Sequence, residues 1–157
     1  MDPVTFAVVA IIYGIGKSGG IRRAFSTDTY TPPPLPFEVT NVVICNTDGN
    51  KIITDYDYEI KSAKSQYLKP KLTIDVKTEG TYDIYVKAYN ADGNLVTGSS
   101  SPDGYSYKDS LSINKRTKEY ALTGWGSSNS GFWKTGKCRF VFYYDDRYLF
   151  SKEFFVY

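Results

Sequence analysis

Residues 137–157 read Lys-Cys-Arg-Phe-Val-Phe-Tyr-Tyr-Asp-Asp-Arg-Tyr-Leu-Phe-Ser-Lys-Glu-Phe-Phe-Val-Tyr. Two runs dense in aromatic and β-branched residues, 137–144 and 147–157, flank the pair Asp145-Asp146. Such side chains fit a pleated, half-buried surface better than a helix. Two turn-forming residues between two such runs are the pattern of a β-hairpin. This stretch sets the class as all-β.

The same signal continues upstream. Tyr82, Ile84, Val86 and Ala88 alternate with Asp83, Tyr85, Lys87 and Tyr89, and Leu72, Ile74 and Val76 alternate with Thr73, Asp75 and Lys77. Each run offers one apolar and one polar face, as a half-buried strand does. With Thr78-Glu79-Gly80 between them, the two read as a second antiparallel hairpin. Residues 37–46 form a β-rich run ended by Asp48-Gly49-Asn50, residues 51–60 alternate less cleanly, and residues 105–113 and the Tyr120/Leu122 region supply more strands. Seven or eight short strands at regular spacing predict a sandwich or barrel. Nothing after residue 37 has helical periodicity. The expected fold is an antiparallel, immunoglobulin-like β-sandwich over residues 37–157.

Composition excludes several chemistries. The chain has 157 residues, enough to bury a real core without metals. It contains 15 Tyr, 9 Phe and no His. Without histidine there is no Ser-His-Asp or Cys-His site within the chain, and the commonest metal ligand is missing. No cofactor and no metal are expected, and an enzyme is not. A net charge of +2 from 19 basic and 17 acidic residues is too balanced to mark a nucleic-acid partner. Asp92-Gly93-Asn94 and Asp48-Gly49-Asn50 carry oxygen ligands, but a calcium loop needs six to eight, so both read as turns. Cys45 and Cys138 each lie in an apolar run. They read either as buried thiols or as one disulfide across the sandwich.

Several short motifs carry a family resemblance. Ser100-Pro102-Gly104-Tyr105, Gly124-Trp125-Gly126, Trp133-Thr135-Gly136-Lys137-Cys138 and a closing Phe-x-Val strand span residues 69–157. Together they resemble a β-sandwich module found at the C-terminus of uncharacterised bacterial proteins, behind varied N-terminal regions. The resemblance implies an accessory or interaction domain. It implies glycines that serve turns, tryptophans that serve packing, and no catalytic residues.

The N-terminal segment, residues 1–25, holds the apolar run Val4 to Ile15, in which Phe6, Val8, Val9, Ile11, Ile12 and Tyr13 are the principal apolar residues. About 12 apolar residues before Gly16 fall short of the ~20 that a spanning helix needs. The segment is expected to be helical. Three readings stay open: a membrane anchor, a packing element, and a secretion signal. The basic residues Lys17, Arg22 and Arg23 follow it, which under the positive-inside rule would leave the β domain cytoplasmic. The alternative is a cell-surface or secreted location. Gly16-Lys17-Ser18 lacks the upstream glycine of a phosphate-binding loop, since Ile11 stands there. Residues 26–36 include Pro32, Pro33, Pro34 and Pro36 and read as a semi-rigid spacer.

Candidate binding residues are aromatic. Tyr85 and Tyr89 fall on the polar face of their strand, Tyr143 faces opposite Phe142, and Trp125, Phe132 and Trp133 lie in a glycine-rich stretch. Exposed aromatics suit interface hot spots or sugar stacking, and the two tryptophans also suit an end plug. Asp55, Asp57 and Glu59 would share one face if residues 51–60 form a strand. The expected function is a non-enzymatic interaction module, tethered or assembled through its N-terminal segment, that binds a protein partner or other copies of itself. The alternatives are a structural subunit of a bacterial surface or secreted assembly, and a membrane-linked effector with a small-ligand-sensing β domain.

Overall fold

The computed structural model describes the backbone of residues 6–15 and 21–157, with side chains from Tyr30 onward. The chain divides between Pro34 and Leu35 into two compact units.

The first unit is a two-stranded antiparallel sheet of β1 (Phe6–Ile15) and β2 (Ile21–Tyr30), paired in register from Phe6↔Tyr30 to Ile15↔Ile21. The expected helix is therefore corrected: Phe6, Val8, Val9, Ile11, Ile12 and Tyr13 belong to a strand. β-branched residues are crowded against the preceding turn of a helix and pack well on a pleated strand. The chain from 21 to 30 supplies the pairing partner. Residues 26–30, expected in the spacer, are the second half of β2. Lys17 and Ser18 lie outside the described residues.

The second unit is the sandwich. Its strands are β3 (Phe37–Thr47), β4 (Ile52–Thr54), β5 (Tyr67–Val76), β6 (Gly80–Tyr89), β7 (Tyr107–Ile113), β8 (Glu119–Ala121), β9 (Gly136–Tyr144) and β10 (Arg147–Val156). One antiparallel sheet runs β4-β3-β5-β8 and the other β10-β9-β6-β7. Without the short β4, the first, second and fifth strands face the third, fourth, sixth and seventh. This is the immunoglobulin-like division, with the fourth strand moved beside the third.

Inner-facing residues of both sheets meet in one core that includes Phe37, Ile44, Leu68, Leu72, Ile84, Val86, Phe140, Phe142, Leu149 and Trp133. Register explains which residues enter it. In β3 the pairing slips between Val39 and Asn41, so Thr40 and Asn41 are both exposed while Phe37, Val39, Val42 and Ile44 all stay buried. A bulge resets the two-residue alternation. Because Ile44 faces the core, Cys45 lies on the opposite face, whereas Cys138 is a core residue. Both thiols are free, and the cross-sandwich disulfide is excluded by this parity.

The expected hairpin between residues 72–76 and 82–89 is also corrected. β5 and β6 lie in different sheets, and residues 77–79 cross between them. Both strands alternate because each lays one face on the same core, from opposite sides. The crossing is fastened where Lys77 and Thr78 donate their backbone N–H groups to the Pro36 carbonyl. The final hairpin, β9–β10, is as expected. Asp145 and Asp146 take φ of 50° and 57°, the left-handed pair of a tight turn.

Pro70 sits inside β5, where its missing N–H removes a ladder bond. Its carbonyl still accepts from Leu122 N, just where β8 ends at Ala121. Pairing resumes at an isolated Leu68↔Trp125 bridge. There a Cβ on Gly124 would lie 2.3 Å from the Leu68 carbonyl oxygen, and one on Gly126 1.9 Å from that of Gln66. The Gly-Trp-Gly motif thus lets this segment lie directly against β5.

Candidate functional site

The outer face of the β10-β9-β6-β7 sheet carries the densest surface chemistry. On β6 the residues between the core positions are Tyr85, Lys87 and Tyr89. In register across β9 they meet Tyr143, Val141 and Arg139. β10 adds Tyr148 opposite Tyr143, and β7 adds Lys108 opposite Tyr85. Alternation places all of these on the face away from the core.

Tyr105 completes the group from the loop before β7. Its backbone N–H donates to the Pro102 carbonyl, and Gly104 takes φ +77° to make that turn. The Tyr105 ring packs on Tyr85 at 4.9 Å and on Tyr143 at 5.6 Å, and Tyr143 meets Tyr148 at 6.3 Å. The interplanar angles are 52°, 72° and 83°, so the rings are canted rather than coplanar. Lys87 Nζ lies 5.3 Å from the Tyr105 centroid and 5.1 Å from that of Tyr143. Lys108 reaches the Tyr85 ring at 5.9 Å, and Arg139 lies over Tyr89 at 4.6 Å. Such contacts hold cations by the negative ring face.

At the rim, the Tyr105 hydroxyl donates to Asp146 Oδ1 at 3.0 Å. Burial, and then this bond to a carboxylate, push the Tyr105 hydroxyl up to about 12. Beneath the rings, Val141 is buried although it faces outward. The tyrosines therefore form a packed layer over the sheet.

The six aromatics singled out from sequence separate into three places. Tyr85, Tyr89 and Tyr143 share the outer sheet face. Trp133 is 1 % exposed and packs on Phe140 in the core. Its backbone N–H donates to Ser65 Oγ and its carbonyl accepts from Ser62 Oγ and Ser65 Oγ, which fixes the glycine-rich stretch over the end of the sandwich. Trp125 is half-buried against the same core, while Phe132 is exposed beside Trp133. Tyr105, Lys87, Lys108, Arg139, Tyr148 and Asp146 join the face without having been read as binding residues. The Tyr85/Lys87/Tyr89 alternation held the signal for Lys87. Tyr105 had none, being placed by a loop.

Asp55, Asp57 and Glu59 do not share a strand face. The strand ends at Thr54, and residues Asp57–Glu59 form a 3-10 turn. Asp55 accepts from the Cys45 thiol through its backbone oxygen at 3.3 Å. Glu59 instead lines an open groove of about 550 Å³ with Ile53, Tyr58, Lys61, Lys64 and Tyr157. Among the described residues there is no group of three or more Cys, Asp or Glu placed to hold a metal ion. Among them, too, no helix is long and apolar enough to cross a membrane.

No protein-family model, no curated protein and no solved structure matches the chain.

Proposed function

We propose that residues 35–157 form a non-enzymatic recognition module, and that the outer face of the β10-β9-β6-β7 sheet binds a protein partner. The observation that carries this reading is Lys87 lying over both Tyr105 and Tyr143. A sugar ring stacks on an open, level aromatic face. Here the tyrosines are mutually canted and four of them already hold a cation. Clustered tyrosine with an arginine, here Arg139 over Tyr89, is the composition of interface hot spots. Lys87 and Arg139 rest on rings, so the face suits a partner surface that brings a carboxylate to Lys87.

Photo-crosslinking from position 148, at the exposed rim, tests this in cells that make the full chain. The expected result is an adduct with one other protein that Lys87→Glu abolishes and that a compensating basic substitution on the partner restores. An adduct that is indifferent to Lys87→Glu overturns the reading. So does an adduct only between copies of this chain.

A further inference from the structure

The β1–β2 hairpin carries an inference independent of the aromatic face. Its two strands are ten residues each and pair without a slip over ten positions. A two-stranded sheet by itself is marginal in water, because it has one ladder and two open edges. Among the described residues β1 and β2 pair only with each other. Each therefore presents a ten-residue edge for a further strand.

Length and charge say where those edges can be satisfied. A tilted strand crosses a bilayer core with about 9–11 residues. β1 contains no charged residue, and β2 has Arg22, Arg23 and Asp28. In register, Arg22 and Arg23 stand opposite Gly14 and Tyr13, beside the connection, and Asp28 stands opposite Val8, near the other end. The four pairs between them, Val9↔Thr27 to Ile12↔Ala24, are uncharged. The pleat groups positions 7, 9, 11, 13 and 15 with 21, 23, 25, 27 and 29 on one face. That face holds seven Ala, Val, Ile, Phe or Tyr residues and a single charge, while the other holds six such residues with Arg22, Ser26 and Asp28. Both faces are mainly apolar and differ in charge, one holding Arg23 alone and the other Arg22 and Asp28, so the less charged face is the one suited to lipid and the other to a barrel lumen. Lipid admits only strands whose backbone groups are all paired, so open edges must close on each other.

We infer that hairpins from several copies of this chain join edge to edge into a closed barrel that spans a lipid bilayer, with one hairpin contributed by each copy. Closed barrels of this kind begin at about eight strands, so about four copies is the least number.

The experiment uses the full chain with dye-loaded vesicles of phosphatidylcholine and phosphatidylglycerol. The expected result is a heat-sensitive, detergent-resistant oligomer of at least about four copies, formed only with vesicles, together with dye release. Ile11→Pro removes a backbone donor and blocks strand pairing at the centre of β1. It should lower release at least tenfold and abolish the oligomer, while the near-ultraviolet dichroism and melting of the sandwich stay unchanged. Ile11→Val, which keeps the pairing, should retain both activities. The inference fails if the chain remains monomeric on vesicles, if Ile11→Pro retains release, or if the same oligomer forms without lipid.

Discussion

Asp57 Oδ2 lies 3.1 Å from Lys152 Nζ and also accepts the backbone N–H of Ile44 at 3.3 Å. One carboxylate oxygen thus ties the edge strand of one sheet to an edge of the other. Lys152 stands opposite Phe140, on the inward side of β10, and its side chain is 26 % exposed against 16 % for Asp57. An inward-pointing charge on an edge strand also deters pairing with a foreign strand.

The two members of this pair should respond unequally to removal. Asp57→Ala leaves Ile44 N and the Lys152 ammonium without their acceptor and is expected to cost about 2–3 kcal/mol. Lys152→Met leaves the Ile44 bond in place but strips the Asp57 carboxylate of its counter-ion, so it should cost about 1–2 kcal/mol, less than Asp57→Ala. Urea unfolding of both variants, compared at equal m-value, checks the asymmetry.

Alkaline titration should show Tyr105 ionising late, and Tyr107, whose hydroxyl is buried, later still. Its folded pKa, about 12, exceeds the ordinary tyrosine value of 10.0. The raised value means that its share of stability is complete below pH 10.0 and is lost as pH rises through about 12. Tyr105→Phe should flatten the fall in melting temperature over that interval relative to the parent. Asp146→Asn keeps an acceptor oxygen but removes the charge, so the Tyr105 step in a 295-nm difference titration should move to lower pH.

The glycines at the Leu68↔Trp125 bridge should be irreplaceable, in contrast to those in open turns. Gly126→Ala drives a methyl into the Gln66 carbonyl, 1.9 Å away, and is expected to cost about 2–4 kcal/mol. At Gly93, with φ +79° and nothing within 4 Å, alanine meets only backbone strain and should cost about 1 kcal/mol. Thermal unfolding of the two variants side by side tests the difference.

The two thiols should be inert while the domain is folded. Cys45 is 7 % exposed and Cys138 1 %, and burial raises both, Cys138 to about 11. An aromatic disulfide reagent at mildly alkaline pH should label neither native thiol within minutes and both in guanidinium. Non-reducing electrophoresis should show no internally bridged species, because the two residues lie on opposite faces of their sheets.

Local sequence reveals what is local in the fold. The β9–β10 hairpin is legible because both strands and the Asp145-Asp146 turn sit in one window. The alternation of β5 and β6 is equally clear, yet it says only that each strand has a buried face. It does not say whether the neighbour lies beside the strand or across the core, and the hairpin expected there is a crossing between sheets. The apolar run at 6–15 has no clear period, and its pairing with β2 decided strand over helix. In the same way, the run from Val42 to Cys45 does not show which residues face inward, since the bulge at Thr40 sets that parity. Tyr85, Tyr89 and Tyr143 were legible as outward residues of their strands. Tyr105 and Asp146 reach the site from two turns 41 residues apart, a proximity that only the packed sandwich creates.

The division of strands between the sheets has a consequence in time. Three of the four strands of the β4-β3-β5-β8 sheet, including both long ones, leave the ribosome before any strand of the other sheet. Their inner side chains Phe37, Val42, Ile44, Leu68 and Leu72 must then wait for Phe140, Phe142, Leu149 and Phe154, which come from the last two strands. At about 5–20 residues per second, that wait is several seconds. Throughout it, an apolar surface and an open strand edge are displayed to the cell. A chain cut before β10 would stay in that condition, so this fold is exposed to aggregation during synthesis until its final strand has been made.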